Sequence, residues 1–492
     1  MILKLTNSHS GKLESFIPLD PTRISMYVCG PTVYDIPHIG NLRSAVVYDL
    51  LFRVLLSLYP NVTYVRNITD IDDKIILKAI ELGISTSDLT EKIKKEYKHS
   101  LKRLHCLEPE HEPHATSHLH EMFEVIRELL NKGYAYQNED GIFFKVNSYN
   151  RYGSLSHRKI EEMVHGSRKQ FIAQKKDIVD FALWKNEKIG EEKYSFDSPW
   201  GRGRPGWHTE CVAMSRKYLS NSFDIHGGGI DLLFPHHENE LAQAKCLNYD
   251  EQYAKYWLHN GFITVKGEKM SKSLGNIISL DNIELPIIFG NVIRFFYLST
   301  NYRKPLDYNS TAVKNAFRSI YKISVVVDLL LDNEMIQEHF KKYAYNLENI
   351  NLKELRKNNT TSGKYKDVLK ALCDDINSSL AISYIQQEST SLSKKIRTSS
   401  ICIEECIDFF SSLILLGFNI MEFSKIKIFV EKIEDTKGTS CEELIKLAQT
   451  RQTLRNNKLW EQGDNIKSQI EDAGYSISDH EDGNFTLHKK LW

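Results

Sequence analysis

The chain has 492 residues, 41% hydrophobic and 26% charged, and its 64 basic side chains balance 64 acidic ones. At about 150 residues per domain this suggests roughly three domains and excludes one small module, while 25 Gly and 12 Pro exclude a collagen-like or disordered chain. Zero net charge offers no global field to a polyanion, so nucleic acid would have to meet local patches.

No run of about 18 uninterrupted apolar residues occurs, and Met-Ile-Leu-Lys-Leu-Thr-Asn lacks the basic start and apolar core of a signal peptide. A cytoplasmic protein with no membrane partner is expected. Residues 24 to 28 read as a short buried strand, followed by a loop of turn formers from Cys29 to Pro37. Gly40 opens a helix in which Leu42, Val46, Leu50, Val54 and Leu58 form one apolar stripe. Residues 62 to 68 are the next strand. Strand, loop, helix, strand is a βαβ unit, which implies a parallel sheet with its ligand crevice at the carboxyl ends of the strands.

From about 115 to 200, helical signals mix with a hairpin at Gly141-Ile-Phe-Phe-Lys-Val and with basic clusters, Arg168/Lys169 and Lys175/Lys176. This stretch is expected to be an insertion between two sheet halves. Trp207 to His259 returns to helix, strand and Gly-rich turn. Beyond about 310 long periodic segments predict helices, with an Asn/Lys-rich interruption near 341 to 365. Residues 436 to 492 read as a separate module joined through Asp435-Thr-Lys-Gly-Thr.

His38-Ile-Gly-Asn41 lies where a strand gives way to a helix, whose free N–H groups and dipole favour a phosphate. His38 and Asn41 can donate to phosphate oxygens, though a turn-filling His and a capping Asn are the plainer reading of either alone. Lys269-Met-Ser-Lys272-Ser, between Gly267 and Gly275, suits a mobile clamp on charge leaving as pyrophosphate, or else a solvated basic turn. The eight cysteines are scattered, with no disulfide framework expected. Cys29 and Cys211 with His236 and Glu240, the last two one helical turn apart, make a tetrahedral zinc set. Taken singly, each is more commonly core or surface. Cys402 and Cys406 are read as helix core. Gly201-Arg-Gly-Arg-Pro-Gly206 satisfies a dinucleotide fingerprint by coincidence, since no apolar strand precedes it.

In order and in their separation of roughly 230 residues, the two phosphate segments resemble the HIGH and KMSKS signatures of class I aminoacyl-tRNA synthetases, departing where Asn41 replaces the second His. Tyr27-Val-Cys-Gly, Asn67-Ile-Thr-Asp-Ile-Asp-Asp-Lys, Gly206-Trp-His-Thr-Glu-Cys, Asp224-Ile-His-Gly-Gly-Gly-Ile-Asp and Phe234-Pro-His-His-Glu-Asn-Glu are similar to the cysteinyl-tRNA synthetase family. That resemblance implies one Zn²⁺ per chain on Cys29, Cys211, His236 and Glu240. It implies a cysteine pocket lined by Gly30, Thr32, Asn67, Thr69 and Trp207, and an adenosine site at Gly229, Asp231 and Val265. It implies catalytic roles for His38, Asn41, Lys269 and Lys272 around ATP and its Mg²⁺. Arg455, Trp460 and Asp464 resemble an anticodon reader, an aromatic and polar edges for unpaired bases.

The expected fold is α/β: a Rossmann-like parallel-sheet catalytic domain in two halves (1–114 and 206–260) split by a connective insertion (115–205). A KMSKS connecting region (261–310), a helical bundle (311–435) and an anticodon-binding module (436–492) follow. The expected partners are ATP, L-cysteine and tRNA(Cys), and the expected state a monomer. A ligase joining cysteine to an amino sugar, or a non-catalytic zinc-containing RNA-binding protein, are the alternatives that remain on sequence.

Overall fold

The structure is a computed structural model and describes residues 1–159, 175–248, 252–271, 274–285, 287–343, 363–436, 441–457, 459–472, 475–479 and 485–489. Arg168, Lys169, Lys272, residues 344–362 of the Asn/Lys-rich stretch and residues 437–439 of the expected linker lie outside the described residues. Contacts divide the chain into two compact units, Met1–Ile420 and Met421–Trp492.

In the first unit, the Ile24–Val28 and Val62–Arg66 strands pair in parallel, joined by the Ile39–Leu58 helix, so the expected βαβ unit is present. The second strand ends at Arg66 rather than at 68, because Ile68 leaves the ladder to bond with Pro113 and Ala115. The helix carries more than one apolar stripe. Ala45, Val47, Tyr48, Leu51, Phe52 and Leu55 are buried as well, since helices Gly290–Leu298 and Ile403–Leu415 pack on the side away from the sheet. Asp49 on that helix is ion-paired with Arg53 and with the fully buried Arg294, whose guanidinium also bonds the Leu104 and Leu416 carbonyls. Arg43 on the same helix donates to the carbonyls of Gly261, Phe262 and Lys304, which ties the connecting region to it.

The full central sheet has four parallel strands in the order Ala254–Asn260, Phe223–Gly229, Ile24–Val28, Val62–Arg66. The chain runs outward from Ile24–Val28 in one direction and from Phe223–Gly229 in the other. The strand order therefore reverses between these two neighbours, and the crevice at their carboxyl ends is the topological switch point.

The stretch between the halves folds as helix Leu119–Asn131 and an antiparallel sheet ordered Ala135–Asn138, Gly141–Phe144, Phe181–Asn186, Gly203–Pro205. The hairpin expected at Gly141 is its first pair. The Gly201 to Gly206 stretch is the edge strand of this sheet, not a phosphate loop. At Gly206 a side chain would sit 1.9 Å from the Ala182 carbonyl, so only glycine lets the next helix, Trp207–Leu219, start there.

Helices Ser310–Leu331, Glu334–Lys342, Lys364–Leu372, Ser378–Arg397 and Ile403–Leu415 follow, as the periodicity predicts. Cys406 is buried among them. Cys402 is exposed and corrects the core reading: it is the cap residue before Ile403, one step outside the apolar face. Among the described residues no single helix is long and apolar enough to cross a membrane. The second unit holds helices Cys441–Asn456 and Trp460–Asp472 and an antiparallel pair, Tyr475–Asp479 with Phe485–Lys489.

Candidate functional site

Cys29 follows directly on Val28 at the switch point, and its N–H bonds the Gly227 carbonyl of the neighbouring strand at 3.0 Å. Cys211 lies in the second turn of the Trp207–Leu219 helix. His236 and Glu240 lie on consecutive helical turns spanning Leu233–His237 and Glu238–Leu247. Three distant stretches thus converge. The Cys29 Sγ is 3.6 Å from both the Cys211 Sγ and the Glu240 Oε1, the Cys211 Sγ is 3.5 Å from the His236 Nε2, and His236 Nε2 is 3.0 Å from Glu240 Oε1. All four ligand atoms lie within 4.8 Å of one another, and all four side chains are buried.

The electrostatics of this cluster are those of a site that wants a cation. Burial opposes charge on Cys211, but the Cys29 hydrogen bond and the neighbouring His236 outweigh it and bring the thiol down to about 6. Burial pushes the Cys29 thiol well up, and its bond to Cys211 adds to this. Burial is also outweighed at His236, which Glu240 raises to about 10, and at Glu240, which His226 and His236 hold well below the carboxylate range. Such a buried set of anions and soft donors can hold a metal ion.

Around it stands a layer that the sequence reading passed over. His226 Nε2 and the Tyr253 hydroxyl both reach Glu240 Oε2, at 2.9 and 3.2 Å, and orient its carboxylate. His237 Nε2 is 3.4 Å from the Cys29 Sγ and its other nitrogen bonds His259. Cys29, His226, His237 and Glu240 are a second group within ligand reach of one another. It shares two members with the first, so one ion at a time can use them. The signal for His226 was an imidazole between Ile225 and three glycines on a central strand, in the stretch already singled out from Asp224.

Beside the cluster, Gly30 approaches the Val62–Arg66 side so closely that a Cβ would stand 1.7 Å from the Asn67 carbonyl oxygen. Its N–H donates to Asn67 Oδ1 at 3.0 Å, the Asn67 amide donates to Thr69 Oγ1 at 3.2 Å, and Thr69 donates to Glu210 Oε2 at 2.9 Å. Thr32 is the backbone partner of Thr69. Trp207 stacks on His236 with ring centres 4.2 Å apart, and its indole N–H has no protein partner among the described residues. Gly229 ends its strand with Asp231 folded over it: a Cβ there would lie 2.5 Å from Asp231 Oδ1. Val265 belongs to a different sheet, the small one formed with Glu268–Lys269 and Leu306–Tyr308.

His38 caps the Ile39–Leu58 helix. Its Nδ1 accepts from the Gly40 and Asn41 N–H groups at 3.1 and 3.3 Å, and Asn41 Oδ1 accepts from the His38 N–H at 3.2 Å, a reciprocal capping box. Burial holds the imidazole below its ordinary value against the pull of Asp231 and Asp35. With Nδ1 accepting, the neutral ring carries its proton on Nε2. The Asn41 amide N–H₂ stays outside the cap. The KMSKS segment meets this turn: Met270 is against Gly40, Ile39 N–H bonds the Ile278 carbonyl at 2.8 Å, and His38 bridges Ser279. Lys269 sits at the end of the Glu268–Lys269 strand with its ammonium over the Phe262 ring. Lys272 lies outside the described residues.

The model of the class I (C) tRNA synthetase catalytic domain matches residues 15–318. A cysteine–tRNA ligase of Rickettsia bellii is 47% identical over 78% of this chain and 79% of that protein. Those of Ehrlichia canis and of Wolbachia pipientis from Culex pipiens are 42% and 40% identical over 98% and 100% of this chain, and over 99% of each of those proteins. The chain belongs to the cysteinyl-tRNA synthetase family. It is an enzyme of the class I aminoacyl-tRNA synthetase group. The methionyl-tRNA synthetase of Mycobacterium tuberculosis, solved with methionyl-adenylate, shares the fold at a TM-score of 0.56 and 14% identity, covering 86% of this chain and 95% of that one.

In the second unit, Arg455 lies in the last turn of one helix and Trp460 starts the next, with the Arg455 guanidinium over the indole, 5.1 Å from its centre. Arg455 is also 3.7 Å from Asp464. The three residues expected to read RNA are therefore neighbours, and Trp460 is half-exposed.

Proposed function

We propose that the chain activates L-cysteine with ATP, forming cysteinyl-adenylate and pyrophosphate, and passes the cysteinyl group to the 3′-terminal ribose of tRNA(Cys). The observation that carries this reading is the meeting of Cys29, Cys211, His236 and Glu240 at the switch point of a class I synthetase fold. For a tetrahedral zinc with bonds of about 2.3 Å to sulfur and about 2.0 Å to N or O, the ligand edges are about 3.8 Å for S–S, 3.5 Å for S–N and 3.3 Å for N–O. The observed 3.6, 3.5 and 3.0 Å suit such an ion. The two sulfurs of this set, against one in the alternative with His226 and His237, favour it for a soft metal.

One Zn²⁺ per chain would supply a soft acceptor for the cysteine thiolate. Shape alone rejects the serine hydroxyl by only about 10²-fold, whereas translation needs roughly 10⁴. This chain's own groups do the rest by placement. The Trp207 indole N–H, a donor only, suits the substrate carboxylate, helped by the positive end of the helix that it begins. His38 Nε2–H and the Asn41 amide face charge on ATP phosphates from the helix start, with Lys269 and Lys272 as the clamp on departing pyrophosphate and Mg²⁺ carried by ATP. Gly229, Asp231 and Val265 are assigned to the adenosine. Arg455, Trp460 and Asp464 are assigned to unpaired anticodon bases, a role supported by the exposed indole stacked under a guanidinium. A cytoplasmic monomer is the proposed working state.

Cysteine-dependent ATP–pyrophosphate exchange, followed by transfer to tRNA and to a cysteine-accepting amino sugar, tests the reading. Exchange with transfer only to tRNA is expected. Transfer to the sugar instead, or no exchange at all, would overturn it.

A further inference from the structure

Away from the metal cluster, a cleft of about 160 Å³ opens in the helical bundle between Lys364–Leu372, Ser378–Arg397 and Ile403–Leu415. Tyr384, Glu388 and Ser391 follow one another at intervals of four and three on the middle helix, so they share a face and make one wall. Asp367 enters from the first helix and Glu405 from the third, while Leu392, 1% exposed, is the apolar floor. None of these residues belongs to the candidate metal set.

Glu388 is the anomaly in that wall. It is only 8% exposed, yet its carboxyl group has no hydrogen bond or ion pair among the described residues. Its neighbours do not supply one. A Glu405 oxygen is taken by Lys395, Asp408 accepts from the Gly363 and Tyr365 N–H groups, and the carboxylates of Asp367, Glu405 and Asp408 outweigh the single ammonium of Lys364 around it. Burial and Asp408 push the Glu388 carboxyl up to about 8, so the group holds a proton that an incoming cation would displace to solvent. A buried polar group without a partner is costly, and filling space here needs only a leucine or a methionine.

Size and chemistry select the ligand. An apolar cavity of roughly 150 Å³ admits benzene, so this cleft takes about six heavy atoms, more than a bare metal ion. Among the described residues, three or more acidic, His or Cys ligand atoms within metal reach of one another occur only in the cluster at Cys29 and Glu240. The floor suits methylenes, and Glu388 suits a positively charged N–H donor. We propose that the cleft binds a small alkylammonium ion, its N–H groups donating to the Glu388 carboxylate and its methylenes lying on Leu392 and the Tyr384 ring. This site stands apart from the cysteine-activating reading and does not depend on it.

The test is calorimetric titration of the full chain with putrescine, with butanol and Mg²⁺ as probes that lack the charge or the aliphatic chain. Putrescine is expected to bind once per chain, and neither butanol nor Mg²⁺ to displace it. Glu388→Gln keeps the shape of the wall and removes its charge. It should weaken putrescine by roughly 10- to 100-fold, as for a lost hydrogen bond to a charged group, and leave cysteine-dependent pyrophosphate exchange unchanged. Ser391→Trp, at an exposed wall position, should block the cleft by filling it, and carries the test should the glutamine variant not fold. No binding of putrescine to the unmutated chain, equal binding by either variant, or displacement by butanol or by Mg²⁺ would overturn the inference while leaving the proposed enzyme function standing.

Discussion

Replacing Cys211 by Ser tests the link between the metal cluster and amino acid choice. Cys211 is buried, on a helix whose start is wedged at Gly206, so the backbone does not follow a shorter side chain. Against its burial, the Cys29 hydrogen bond and the neighbouring His236 hold its thiol below the usual thiol range, which eases loss of the proton before it takes a metal. A serine hydroxyl stays neutral and is a hard donor, so affinity for a soft ion falls. Zinc content after dialysis should drop below one per chain, and cysteine-dependent exchange should drop with it. In the residual activity, preference for cysteine over serine should shrink from roughly 10⁴ towards the 10² that shape can supply, a loss of about 2.7 kcal/mol at 1.36 kcal/mol per tenfold. Metal analysis alongside exchange with both amino acids measures all three quantities. If metal-free unmutated protein still preferred cysteine as strongly as the native form, zinc would be structural and the account of specificity wrong.

Trp460→Ala should weaken tRNA charging by the about 1–3 kcal/mol of a lost base stack while leaving pyrophosphate exchange intact; equal losses in both assays would instead indicate misfolding. Lys272→Ala should fold normally and lower the maximal exchange rate at saturating ATP by roughly 10²- to 10³-fold, the cost of one group that meets charge only in the transition state. An unchanged rate would remove Lys272 from the clamp. In the helical bundle, burial and the nearby Asp408 push the Glu388 carboxyl up from 4.5 to about 8. The folded state therefore holds this proton more tightly than the unfolded chain, and stability is lost as pH rises from about 4.5 to 8. Glu388→Gln should accordingly raise Tm at pH 8, by the equivalent of about 1–3 kcal/mol, and have little effect at pH 4.5, as thermal unfolding at the two pH values would reveal. Arg294→Met breaks the buried pair with Asp49 and should cost about 3 kcal/mol in urea unfolding.

What could be read from the sequence was whatever is decided within a turn or two of chain. The helix after His38, its two flanking strands, the helical character beyond 310 and the one-turn spacing of His236 and Glu240 all follow from periodicity and local chemistry. The four candidate metal ligands could be nominated because their residue types are chemically distinctive, even though Cys29 and Cys211 are 182 positions apart. Tertiary structure alone decided that they meet, because the crevice exists only once strands 24–28 and 223–229 lie side by side. It also decided the contacts of His226 and Tyr253 with Glu240. A buried polar side chain looks like any other in sequence until its partner arrives from another strand or helix, as Glu210 meets Thr69, 141 residues away, only in the fold. Cys402 was misread for a related reason: periodicity fixes which helical face a residue shares, but where the helix starts is set by which backbone groups find partners. The same physics made His38 the helix cap, since its Nδ1 satisfies the helix end, and leaves Nε2 for the proposed phosphate contact.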